Sequence, residues 1–496
     1  GGGAAVCVGA GAVNLGPFFE SVQAALLSEG APLVWLARRL RGAGAGAGEA
    51  AGAAGEPEGD LESALLAVPS LRLISSAVAV PVLQYVQQTW PNVFMPAFPD
   101  VFALNYLHSG NFVSAAKAFM APSELEAFMA GPALADFRRR WKTQVYSSLR
   151  TKEAVQRFEV AAAKSKAASD AATVPAERPH SVNGRGFWLE VSAELVRILD
   201  TVWGEQWFLD VLYAKTLQLS MELLARYGRA ARALAAPEGG AEGAGASGWD
   251  AAAVPPAWSP ASLPVRLSRA CADVLSVMEE VGGNGTEAGR FQAFVLGRLP
   301  GSPEGRQGEI VRKLLGEACE GLQPAIEELR AAMLRQVAAC TAGQFAAIRG
   351  IPAFYRMLNK PVPTKASPYV ASALRPIEAL QEAAAQAAPA AAVADWVRLA
   401  LDAAALEFSV QAAQLLESTR QQEASLRRLA GRGGGGDSQV SDLDKIHIQL
   451  CLDVETFTGA AAALGAAAAG SPGLTKLAEV VAPVRHTFEA HRPPAA

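Results

Sequence analysis

Leu401-Asp402-Ala403-Ala404-Ala405-Leu406-Glu407-Phe408-Ser409-Val410-Gln411-Ala412-Ala413-Gln414-Leu415 carries apolar residues at Leu401, Ala405, Phe408, Ala412 and Leu415. The steps are four, three, four and three, close to the 3.6-residue turn of an α-helix, so the five side chains share one face. The series resumes at Leu426 and Leu429. Thr419 and Gln422 interrupt it, which makes the seam a bundle face more than an uninterrupted coiled coil. Outward from this stretch the same spacing recurs. Val191, Leu195, Leu199 and Val202 share a face between Trp188 and Trp203, and Leu212, Leu219, Leu223 and Tyr227 repeat it in the next segment. Ile326, Leu329, Met333, Val337 and Cys340 form another stripe behind Pro324, where a first helical turn tolerates proline. Ser441 with Asp444 resembles a capping box in its acidic variant. It opens a helix whose face is Leu443, Ile446, Leu450, Val454 and Phe457. No convincing run of alternating strand residues stands against these, and the expected fold is all-α.

The 496 residues carry 44 Lys and Arg against 48 Asp and Glu, a formal net charge of −4. Nucleic-acid binding by bulk charge needs a concentrated cationic face, so no nucleic acid is expected as a partner. A hydrophobic share of 51% suffices for buried cores, and the length suggests roughly three packed units. The cysteines, Cys7, Cys271, Cys319, Cys340 and Cys451, form no CxxC pair. Zinc-ribbon and thioredoxin-type sites are therefore unsupported, and the irregular spacing fits a reducing compartment. No stretch approaches the ~20 strongly apolar residues of a membrane span, Gly459 to Gly473 being the nearest. The chain begins at Gly1 and reads as a partial or processed sequence.

Three Gly/Ala-rich segments punctuate the chain: Ala43 to Gly59, Ala236 to Pro260 and Gly431 to Gly436. Such composition cannot bury enough apolar surface to offset ordering, so they read as mobile linkers. The expected organisation is an N-terminal remnant with linker over 1–60, a helical bundle over 61–235, a linker over 236–260, and a second bundle over 261–430. A linker over 431–440 and a C-terminal helical segment over 441–496 complete it.

The search for chemistry yields little. Val8-Gly9-Ala10-Gly11-Ala12-Val13-Asn14-Leu15-Gly16 holds part of a dinucleotide fingerprint, but Asn14 stands where the third glycine belongs and no βαβ pattern follows. It reads as an ordinary flexible terminus. The histidines, His108, His180, His447, His486 and His491, show no metal-ligand spacing. His447 and Cys451 share a helical face at i, i+4, where a half-buried histidine bonded to a neighbour is the expected reading. No catalytic, metal or cofactor site is expected.

Two segments are candidates for contacts. Arg138, Arg139, Arg140, Trp141 and Lys142 form a basic-aromatic face suited to an acidic membrane surface or partner, or a solvated helix face. Between Asn359 and Tyr369, Pro361, Pro363 and Pro368 force an extended crossing between helical blocks. This crossing is a recognition loop or a structural strap. Its repeated apolar anchors, Tyr355, Met357, Leu358, Val362, Tyr369 and Val370, favour the strap. Its candidate residues are Tyr355, Arg356, Asn359, Lys360, Pro361, Pro363, Pro368, Tyr369 and Arg375.

At this crossing the sequence resembles a known family. Ile348-Arg349-Gly350-Ile351-Pro352-Ala353-Phe354-Tyr355-Arg356-Met357-Leu358-Asn359-Lys360-Pro361-Val362-Pro363, continuing through Ser367-Pro368-Tyr369-Val370 to Leu374-Arg375-Pro376, is similar to the C-terminal part of subunit 2 of the conserved oligomeric Golgi complex. Three more segments resemble it in order: Phe137 to Arg150, Trp207 to Tyr227, and Val440 to Asp453. Where that family continues Phe-Gln-Glu-Ile-Ala after the Ser148-Leu149-Arg150 that ends the first of these three segments, this chain has Thr151-Lys152-Glu153-Ala154-Val155.

The resemblance implies a non-catalytic subunit of a vesicle-tethering complex, an elongated rod of stacked helical bundles with flexible insertions. Its expected place is peripheral, on the cytoplasmic side of the Golgi membrane, in intra-Golgi retrograde transport. The implied partners are the other subunits of the complex, with SNARE, golgin or Rab proteins beyond them. The competing readings are a helical scaffold unrelated to Golgi tethering and an enzyme with an unrecognised site. No repeat of fixed 34–47-residue period supports a solenoid.

Overall fold

The computed structural model describes residues 6–8, 12–28, 72–120, 122–170, 178–235, 263–283, 288–358, 360–429, 440–465 and 470–491. The Gly/Ala-rich segments 43–59, 236–260 and 431–436 lie outside them. The described residues are overwhelmingly helical, which is the all-α class. In order they form β1 (Val6–Val8), β2 (Ala12–Asn14), α1 (Gly16–Ser28), α2 (Val80–Thr89), α3 (Pro99–Ala118), α4 (Pro122–Met129), α5 (Pro132–Arg140) and α6 (Thr143–Asp170). Then follow β3 (His180–Val182), β4 (Arg185–Phe187), α7 (Glu190–Trp203), α8 (Tyr213–Ala233), α9 (Leu263–Gly282), α10 (Arg290–Gly297) and α11 (Arg306–Glu320). The rest are α12 (Gln323–Phe345), α13 (Ile351–Leu358), α14 (Pro368–Ala385), α15 (Ala390–Leu429), α16 (Asp442–Ala463), α17 (Pro472–Val481) and α18 (Arg485–Ala490). Their contacts fall into two units, one of residues 1–157, 198–220 and 294–309, the other of 158–197, 221–293 and 310–496.

The first unit has an aromatic core. Trp141 packs edge-on against Phe94, Phe102 and Tyr106, at centroid distances of 4.9, 5.2 and 5.4 Å, and Phe102 stacks on Tyr146 at 5.1 Å. Offset and edge-to-face geometries of this kind add to the area that the rings bury. Asn105 on α3, 1% exposed, ties β2 to this core. Its Oδ1 accepts from the Leu15 N–H at 2.7 Å, and its Nδ2 donates to the Val13 carbonyl at 2.7 Å.

In the second unit α12, α14 and α15 pack together, α9 packs on α12 and α14, and α17 lies along α15. Phe345, Phe408 and Phe457 meet at its centre, with Phe345 stacked on Phe408 at 4.8 Å. The seam that opened the sequence reading is the buried face of α15: Leu401, Ala405, Phe408, Ala412 and Leu415 are all 4% exposed or less. Thr419 belongs to that face and does not interrupt it. It is fully buried, and its hydroxyl donates to the Leu415 carbonyl at 2.9 Å, so no polar group is orphaned. The Ser441 cap forms as expected, its Oγ accepting from the Asp444 N–H at 3.1 Å and donating to the Asp444 carboxylate at 2.7 Å.

Within the all-α class two short hairpins occur: β1 pairs antiparallel with β2 inside the glycine-bearing N-terminal segment, and β3 pairs with β4. The second hairpin turns on Asn183-Gly184, with φ of 53° and 77°. This is the Asn-Gly pairing that a two-residue turn with both central φ positive requires. Three-residue strands are too short to show an alternation, so only the turn chemistry was there to read. The expectation about membrane spans needs correction. Residues 390–425 of α15 are long and apolar enough to cross a membrane by length and composition, with a mean hydropathy of 1.2 over the best window. The large side chains of its seam, Leu401, Phe408 and Leu415, are core residues of the second unit.

Candidate functional site

The proline-bearing crossing is fastened to α16 by side chains. α13 ends at Leu358, residues 360–367 run without regular structure, and Pro368 begins α14. Asp453 on α16 is fully buried. It accepts from the Ser367 N–H at 2.6 Å and the Tyr369 hydroxyl at 2.7 Å. Gln449, one turn earlier, donates to the Lys365 carbonyl at 3.0 Å and to Asp453 at 2.8 Å, and accepts from the Tyr355 hydroxyl at 2.7 Å. Burial raises the Asp453 pKa, and the hydrogen bonds from Ser367, Tyr369 and Gln449 oppose that rise. Every donor to this carboxylate is neutral. The Tyr369 ring also joins the aromatic centre, 6.2 Å from Phe408 and 6.4 Å from Phe345.

Of the crossing's candidate residues, Tyr355, Pro363 and Tyr369 are buried and Arg356 is half-buried. Lys360, Pro361, Pro368 and Arg375 are exposed, with the Lys360 ammonium 5.4 Å over the Phe354 ring. Asn359 and the side chains of Met357 and Leu358 lie outside the described residues. The residues that hold the crossing, Gln449 and Asp453, were not foreseen as its partners. The available signal was a carboxylate on the apolar stripe Ile446, Leu450, Asp453, Phe457, where only a satisfied polar group belongs.

Beside the crossing, Arg349, Pro352, Ala353 and Arg356 face Gln411, Gln414, Leu415, Ser418 and Gln422 of α15 across an open groove of about 500 Å³. In the first unit, Arg138, Arg139, Arg140 and Lys142 are exposed, whereas Trp141 is 5% exposed inside the core. The outward face there is basic without an aromatic member, and Arg139 pairs with Asp136. Arg150, further along, has a side chain 7% exposed. It bonds Asp100, Glu153 and the Tyr146 hydroxyl, and lies 4.2 Å over the Trp207 ring.

A third buried ion orders the β3–β4 region. Asp273 on α9 accepts from the Trp188 N–H at 3.0 Å and the Leu189 N–H at 2.8 Å. Burial pushes its pKa up to about 7, against the pull of those bonds. The His447–Cys451 pair is unsuited to nucleophilic work. Burial lifts the Cys451 thiol to about 11 and lowers His447 despite Asp444 and Glu423. The thiol is then protonated at neutral pH, and the thiolate is the reactive form. Among the described residues no cluster of three metal-ligating side chains occurs.

Residues 139–454 match the family model described as COG complex component, COG2, C-terminal. The chain is 25% identical to conserved oligomeric Golgi complex subunit 2 of Arabidopsis thaliana over 428 residues, 83% of this chain and 53% of that protein. It is 25% identical to the human subunit 2 over 455 residues, 86% of this chain and 59% of that one. With the subunit 2 of Dictyostelium discoideum the identity is 29% over 150 residues, 28% of this chain and 16% of the relative. The chain thus spans between half and three fifths of the Arabidopsis and human relatives. No solved structure matches it. The family match takes in Arg150, Asp273, the crossing, the groove and both of the α16 residues that hold the crossing, and the chain belongs to the conserved oligomeric Golgi complex subunit 2 family.

Proposed function

We propose that the chain serves as a non-catalytic subunit of the Golgi vesicle-tethering complex, acting through protein–protein contacts in intra-Golgi retrograde transport and Golgi organisation. The family match over residues 139–454 carries this reading. The buried carboxylates Asp453 and Asp273 are consistent with it, since each ties a distant backbone segment to its helix. The other subunits of the complex are the first partners, and SNARE, golgin and Rab proteins are further ones. The protein works at the cytoplasmic side of the Golgi membrane as a peripheral component, with the exposed Arg138, Arg139, Arg140 and Lys142 directed to acidic lipid or an acidic partner. The crossing from Lys360 to Tyr369 is a structural strap, because its tyrosine and its backbone are spent on Asp453 and Gln449.

Affinity purification of the chain from cells, followed by mass spectrometry, tests the assignment. The expected result is co-purification of the other Golgi tether subunits. Their absence both from this chain and from the full-length gene product would sink the reading. Recovery with the full-length product alone would put the assembling surface outside this chain.

A further inference from the structure

We propose that the groove between Arg349–Arg356 and α15 is a docking site for an acidic helical segment of a partner protein. Among the described residues neither arginine of this groove meets a carboxylate. Arg139, Arg226, Arg330 and Arg398 each sit against a carboxylate at the surface. Arg349 and Arg356 instead bond amide oxygens, Arg349 to Gln411 at 3.3 Å and Arg356 to Gln422. Glu407 accepts from the Gln411 Nε2 at 2.9 Å, which turns the Gln411 oxygen toward Arg349. Both guanidinium groups are therefore oriented by neutral acceptors while their charge stays available.

The geometry favours a helix as the occupant. Gln411, Gln414, Ser418 and Gln422 recur at i, i+3, i+7 and i+11 of α15, a polar stripe about 16 Å long. The two guanidinium groups bond Gln411 and Gln422, eleven residues apart on α15 and about 16 Å of helical rise, which matches carboxylates at i and i+11 on one face of a facing helix. Arginine presents a planar fork to each carboxylate. Gln414 is exposed at mid-groove and adds an amide without a charge. The inference does not depend on the tether assignment, and its failure would leave the co-purification test untouched.

The test is fluorescence anisotropy of the whole chain with a labelled synthetic helix rich in Ala, Gln and Leu and carrying Glu at i and i+11. The expected result is binding that the double substitution R349E/R356E weakens about tenfold, as two modest exposed ion pairs allow. Gln414→Lys should tighten it about threefold and Gln414→Glu weaken it by a similar factor. The Gln414 variants keep the test open should the double variant melt early. Binding indifferent to all of these substitutions, equal binding of the same helix with Lys for Glu, or no binding would each overturn the proposal. So would arginine-dependent binding of phosphatidylserine vesicles in place of the helix, since the occupant would then be a lipid surface.

Discussion

Arg150 in the first unit and Asp453 in the second are both charges withdrawn from water, yet their surroundings are opposite. Arg150 reaches carboxylates whose own side chains stay in water, Asp100 at 76% and Glu153 at 46% exposure. Burial works against its charge, and the bonds to Asp100, Tyr146 and Glu153 more than offset that, so its pKa rises. Asp453 has no cation. It is held by a backbone N–H and a phenol from the crossing and by an amide one turn earlier on its own helix. A partner left behind by Arg150 relaxes into solvent. A partner left behind by Asp453 is stranded in the core, where an unsatisfied polar group costs about 1–3 kcal/mol. The second arrangement is therefore the more brittle one, although it contains no ion pair.

The sharpest way to break that contrast is Tyr369→Ala. It removes a ring from the Phe345–Phe408 centre and a donor from Asp453 together. We expect a loss of about 3–5 kcal/mol in denaturant unfolding with an unchanged m-value. A loss below ~1 kcal/mol would show the strap to be dispensable, and the brittle-knot account would go with it.

Asp273 extends the comparison to pH. Its folded pKa of about 7 lies above the ~3.9 of an unfolded aspartate, so the folded chain binds the proton more tightly. The stability gained from this group is complete below about pH 4 and is lost as pH rises toward 7, up to roughly 4 kcal/mol at 1.36 kcal/mol per pKa unit. The raised Asp453 acts in the same direction. Arg150 stays charged throughout and contributes no slope in this window. In melts from pH 4 to pH 8, Asp273→Asn should flatten the profile while Arg150→Met leaves its shape alone. Parallel profiles for wild type and Asp273→Asn would contradict the direction of the shift.

Arg150→Met measures the forgiving member of the pair directly. The thioether keeps much of the stem's packing on Trp207, and Asp100 and Glu153 return to water. The expected loss is about 1–2 kcal/mol, less than for breaking a pair whose remaining charge stays buried. A loss of 4 kcal/mol or more would mean that the exposed carboxylates are not free to relax.

Sequence periodicity carries the helices because their buried faces repeat over three or more turns, as from Leu401 to Leu415. The hairpin β3–β4 was hidden, since each strand is three residues long and only Asn183-Gly184 marks it. The crossing was legible from Pro361, Pro363 and Pro368, because proline acts on its own backbone. What holds the crossing was not legible. Gln449 and Asp453 lie more than 80 residues from the groups they bond, and composition is silent about such pairings. Trp141 misled for a related reason: beside three arginines it resembles a surface residue, and only the neighbouring rings reveal it as core.

The smallest effect asks whether the Asp453 site behaves as one unit or as separate bonds. Tyr355→Phe removes only the hydroxyl that donates to Gln449, and the expected loss is about 1 kcal/mol. Tyr369→Phe removes a bond to the buried carboxylate and should lose about 1.5–3 kcal/mol. Gln449 stands between them, accepting from Tyr355 while donating to Asp453 and to the Lys365 carbonyl. If the bonds polarise one another, the first substitution already loosens what the second removes. The double variant should then fall short of the sum by about 0.5 kcal/mol or more in a double-mutant cycle. Strict additivity would mean that the strap is fastened at two independent points. The brittleness assigned to Asp453 would then belong to the Tyr369 bond alone.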